Sequence, residues 1–147
     1  SHLQKTYLDG ATFITGNNPF IVYTCRYDRV DNFWFVLAHE IAHIIHHYEF
    51  LSEPILDNLE EKAESEREKE ADHYAGIYLN QDKVIQIGKQ FGKYLNATRL
   101  QQISDTTDVS IPVALGILQH FGFLDWRQFA KFKEHVKERI PNELIMG

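Results

Sequence analysis

The sequence predicts an α+β domain. β-rich segments occupy its first third, helical patterns fill the remainder, and no repeat or low-complexity linker divides the chain. Its 147 residues suit a single domain over 1–147 and are too few for two hydrophobic cores. The apolar fraction of 44% and charged fraction of 24% are those of a globular chain, not a disordered one.

Residues 12–15 and 20–24 are rich in β-branched and aromatic side chains. Between them stands Gly16-Asn17-Asn18-Pro19, whose turn chemistry predicts a hairpin or two neighbouring strands. Asp31 is the expected N-cap of a helix over about 32–50. Trp34, Phe35, Val36, Leu37, Ala38, Ile41, Ala42, Ile44 and Ile45 cover most of its circumference, the pattern of a buried helix. A break around Pro54 follows, then an acidic stretch over 59–65 that suits either an exposed helix start or a loop. Residues 66–79 read as helix, with Ala71, Tyr74, Ala75, Ile77 and Tyr78 forming its apolar stripe. Further helices are expected at about 83–94, 97–105, 111–120 and 125–139. Ser110 precedes Pro112 as an N-cap, and Asp125 with Gln128 resembles a capping box. The fold expected is a small N-terminal sheet followed by a helical bundle.

Composition excludes several classes. The longest apolar runs, such as residues 33–38, fall far short of the roughly 20 residues of a membrane span. No basic stretch followed by an apolar one opens the chain, so no signal peptide is expected. The one cysteine, Cys25, can close no internal disulfide, which fits a reducing compartment such as the cytoplasm. A net charge of −6 argues against broad nucleic-acid binding. Residues 100–118 can be read as a helix-turn-helix, but residues 111–119 hold no Lys or Arg for DNA contacts. The chain opens Ser1-His2-Leu3 and its one methionine is Met146, so it is expected to be an excised part of a longer protein.

Of eight histidines, four stand between residues 39 and 47, and that crowding carries the chemistry. His39-Glu40-Ile41-Ala42-His43 is an H-E-x-x-H motif on a predicted helix. Residues four apart stack on one helix face, so both imidazoles can reach one ion. Glu40 is rotated off that pair and suits the role of general base towards a metal-activated water. A third protein ligand is needed, and no third histidine follows at metzincin spacing. Glu64, Glu66, Glu68, Glu70 and Asp72 on the acidic helix are the candidates. Glu70 lies at the edge of the apolar stripe, with Glu68 and Asp72 further round, but periodicity alone does not choose among them. Zinc fits such ligands best, though a carboxylate-plus-water set also admits manganese.

The segment from His39 to His47, followed by Glu68-Lys69-Glu70-Ala71-Asp72-His73-Tyr74-Ala75, resembles the ImmA/IrrE family of metallopeptidases. In that family the H-E-x-x-H helix is followed by a helix carrying E-A-x-x-F-A, whose glutamate is the third zinc ligand. The resemblance implies Glu70 for that role, with Tyr74 at the phenylalanine position. It also implies a zincin-like peptidase fold and a protein substrate, often a repressor, with links to transcription regulation and toxin–antitoxin systems. An upstream helix-turn-helix domain, common in the family, would account for the missing start. A non-catalytic, metal-containing regulator that binds a partner protein is the competing reading.

Other residues receive narrower expectations. His47 recurs in the family and suits support of the metal, substrate contact or simple packing, whereas His46 reads as structural or exposed. Asp72 or His73 can orient a zinc-bound histidine. His120 follows a family-like segment and is a candidate for steadying an oxyanion; the blander alternative is a helix-end histidine.

Overall fold

A computed structural model describes residues 9–25, 27–51, 58–125, 127–129, 132 and 141, with the side chains of 58–64 left aside. Among these residues the chain forms a two-stranded antiparallel sheet followed by five α-helices, the α+β order expected from the sequence. It falls into two compact units. One combines the strands with Phe35–Tyr78, and the other combines Tyr27–Trp34 with the chain from Leu79 onward.

In the first unit, β1 (Gly10–Thr15) pairs with β2 (Asn18–Tyr23), placing Phe13 opposite Phe20 and Thr12 opposite Ile21. Gly16, with φ of 64°, takes the first of the two turn positions, the backbone sign a tight II′-type hairpin turn requires. Alternation gives the hairpin two faces. Phe13 and Phe20 stack at 5.7 Å on the open face, while Thr12, Ile14, Ile21 and Tyr23 take the more covered one.

Gly10 shows how tightly the strand meets the helix that follows it. A Cβ there would come within 2.5 Å of Val36 Cγ1 and 3.1 Å of the Val22 carbonyl oxygen. That helix, α1 (Val30–His46), begins one residue before Asp31, so Asp31 sits inside its first turn and is not the cap expected from the sequence. It is buried or half-buried along most of its length, though Trp34 and Ile45 stay exposed. A single 3-10 turn over Tyr48–Phe50 follows. The next helix, α2 (Asn58–Tyr78), takes in the acidic stretch and buries Ala71 and Ala75. Ala38 and Ala42 of α1 are buried as well.

The second unit is built around α5 (Ile111–His120), in which every residue from Val113 to Gln119 is buried. Against it pack α3 (Gln81–Phe91) and α4 (Ala97–Thr107), which contribute Val84, Leu100 and Ile103. Ser110 caps α5 by position and Pro112 occupies its first turn, as expected. Asp125 and Gln128 form the expected capping pair: the Asp125 N–H donates to Gln128 Oε1 at 2.8 Å. Of the helix expected over 125–139, residues 126, 130–131 and 133–139 lie outside the described residues, and 127–129 form a turn. No helix among the described residues is long and apolar enough to cross a membrane.

Candidate metal centre

The i,i+4 spacing on α1 brings Nε2 of His39 and Nε2 of His43 to 3.1 Å. The carboxylate of Glu68, from α2, closes the triangle: Oε2 lies 2.9 Å from Nε2 of His39 and Oε1 lies 2.9 Å from Nε2 of His43. Among the described residues these three form the one group of His, Cys, Asp or Glu side chains with metal-ligand geometry. Tetrahedral zinc with bonds of about 2.0–2.2 Å sets its ligand atoms about 3.3 Å apart, so the trio needs to spread by only a few tenths of an ångström.

The groups behind the trio support the same reading. Nδ1 of His39 donates to Oδ1 of Asp72 at 2.7 Å, which turns Nε2 towards His43 and Glu68. Burial opposes charge on His39, but hydrogen bonds to Asp72 and Glu68, reinforced by their charges, outweigh it and push its pKa up to about 10. Burial alone would favour the neutral acid at Glu68, yet His39 and His43 hold it well below the usual carboxylate range. The two shifts are the two sides of one pairing between the imidazoles and the Glu68 carboxylate.

Glu40 is buried on α1 next to this pair in sequence, and the Thr12 hydroxyl donates to its Oε2. Thr12 reaches it because β1 lies so close to the helix, the closeness that Gly10 permits. Sequence reasoning missed Thr12, since a lone strand threonine carries no motif.

The carboxylate that joins the two histidines differs from the one the family resemblance implied. Glu68 meets both histidines, whereas Oε1 of Glu70 lies 3.1 Å from Nε2 of His47. Helical geometry explains the difference. At 3.6 residues per turn, Glu68 and Asp72 share a face about 40° wide, so one addresses Nε2 and the other Nδ1 of the same ring. Glu70 is rotated about 200° from Glu68. The sequence carries no signal that singles out Glu68, since Glu64 with Glu68 and Glu66 with Glu70 are acidic i,i+4 pairs as much as Glu68 with Asp72.

The remaining histidines divide clearly. Asp72, not His73, makes the contact with His39, while the His73 ring stands edge-on to Tyr74. His46 stacks on Tyr74 at 3.6 Å with Nε2 3.1 Å from the Tyr78 hydroxyl, a packing role. His47 is buried, and burial together with the neighbouring His43 outweighs Glu70 and lowers its pKa. His120 belongs to the second unit, exposed at the end of α5 and edge-on to Phe121.

No curated protein and no solved structure matches the chain. A family model, peptidase M78 with the description IrrE N-terminal-like domain, matches residues 1–109, which include Thr12, His39, Glu40, His43, Glu68 and Asp72 and stop short of His120. The chain belongs to the IrrE N-terminal-like family of peptidase domains.

Proposed function

We propose that this domain is a zinc-dependent endopeptidase acting on a protein substrate in the cytoplasm. The observation that carries the proposal is the convergence of His39, His43 and Glu68 beside a buried Glu40. Two imidazoles and one carboxylate make a three-ligand set that favours zinc over manganese and leaves a coordination position for chemistry. Zinc, when bound there, polarises a peptide carbonyl and lowers the pKa of a water towards about 7.

The protein's own residues do the rest. Glu40 accepts the proton of the attacking water and hands it to the leaving amine. The Thr12 hydroxyl fixes one carboxylate oxygen of Glu40 and leaves the other for that proton. Asp72 holds the His39 ring so that Nε2 faces the cation. The substrate proposed is a transcriptional repressor or antitoxin-like regulator, on the strength of the family alone. Direct DNA contact by this domain is not part of the proposal, because α5, the second helix of the apparent helix-turn-helix, is buried.

The test is cleavage of a proteome-derived peptide library and of candidate repressors, read by mass spectrometry of new termini. Cleavage by the zinc-loaded protein, abolished by chelation and by Glu40→Gln, is the result expected. A zinc-loaded protein that cleaves nothing in either set contradicts the peptidase reading and favours a regulator that binds its partner without cutting it.

A further inference from the structure

Behind His43, two more groups stand in line. Its Nδ1 lies 3.0 Å from Nδ1 of His47, and Nε2 of His47 lies 3.1 Å from Oε1 of Glu70. His47 follows the last residue of α1, but its N–H still donates to the His43 carbonyl at 2.8 Å, which holds the two rings 5.1 Å apart. We propose that Glu70 and His47 form a relay that positions His43 for metal binding by fixing which of its ring nitrogens carries the proton. The inference rests on the metal-centre reading above.

The assignment follows from what each group can donate. An ionised carboxylate only accepts, so Nε2 of His47 carries a hydrogen towards Glu70. A neutral imidazole with its hydrogen on Nε2 presents a bare Nδ1, and this accepts the Nδ1–H of His43. His43 is thereby left with its lone pair on Nε2, the nitrogen that faces Glu68 and His39. The opposite arrangement of neutral rings fails twice. It puts a hydrogen on Nε2 of His43, where a lone pair is needed, and turns a bare nitrogen of His47 against the Glu70 carboxylate. Glu70 is therefore a positioning residue two steps behind the ion. The three carboxylates of α2 have separate tasks: Glu68 binds, Asp72 holds His39, and Glu70 acts on His43 through His47.

The relay is tested on the full chain by zinc competition with a chromophoric chelator, and by histidine-selective 15N NMR of the wild type. Ligand-supporting groups typically change metal affinity about 10–100-fold, so His47→Phe is expected to weaken zinc binding by that factor with unchanged circular dichroism. His47→Gln offers a carbonyl oxygen to the Nδ1–H of His43 and is expected to recover most of the loss. The wild-type spectrum is expected to show His47 protonated at Nε2 and bare at Nδ1, a readout independent of how well the variants fold. Wild-type affinity in His47→Phe, equal losses in the Phe and Gln variants, or a hydrogen on Nδ1 of His47 each overturns the relay. Zinc binding absent from the wild type, or retained by a His39→Ala/His43→Ala variant, overturns the metal centre and the relay with it.

Discussion

Nδ1 of His39 and Oδ1 of Asp72 are joined across 2.7 Å, so the first histidine of the H-E-x-x-H motif is oriented by a residue 33 positions downstream. Asp72 is largely exposed, and little packing is lost with its side chain. Asp72→Ala is expected to lower zinc affinity about 10–100-fold, measured by chelator competition, with little change in the unfolding midpoint.

The contact between Thr12 and Glu40 links the sheet to the proposed base. Hydrogen bonds to charged groups contribute about 1.5–3 kcal/mol, and Glu40 is buried where water does not readily replace a lost donor. Thr12→Val is expected to lower stability by about 1–3 kcal/mol in urea unfolding and to reduce cleavage while zinc content is kept. Thr12→Ser restores the donor and is expected to recover most of both.

Gly10 has no room for a methyl group, since a Cβ would stand 2.5 Å from Val36 Cγ1. Gly10→Ala forces the strand and α1 apart, and overpacking of this kind costs about 1–3 kcal/mol. A lowered urea midpoint is expected, together with reduced cleavage, because the same displacement carries Thr12 away from Glu40.

Zinc is expected to stabilise the folded chain by mass action. At a free concentration of 100 times Kd the gain is about 2.7 kcal/mol, visible as a rise in Tm. Glu68→Ala is expected to abolish that rise at the same zinc concentration, and Glu70→Ala to reduce it only partly.

Much of this architecture is legible in the chain. Gly16-Asn17 sets the hairpin, Ser110 and Pro112 set the start of α5, and the spacing of His39 and His43 brings their rings together. The choice between Glu68 and Glu70 is not legible in the same way. Carboxylates alternate with other residues along 66–72, and only the rotation of α2 about its axis decides which one turns towards α1. Thr12 and His47 acquire their roles from contacts 28 and 23 residues away in sequence, to Glu40 and Glu70 respectively. Periodicity cannot register such pairings. Residues such as Trp34 and Ile45 show the opposite limit, since an all-round apolar pattern predicted burial for side chains that the structure leaves exposed.

Whether His39, His43 and Glu68 together hold one cation is decided by a crystal structure of the zinc-loaded protein with data at the zinc absorption edge. A single anomalous peak is expected within about 2.0–2.2 Å of Nε2 of His39, Nε2 of His43 and a carboxylate oxygen of Glu68. A peak ligated by Glu70 in place of Glu68, or none between the two histidines, would contradict that assignment.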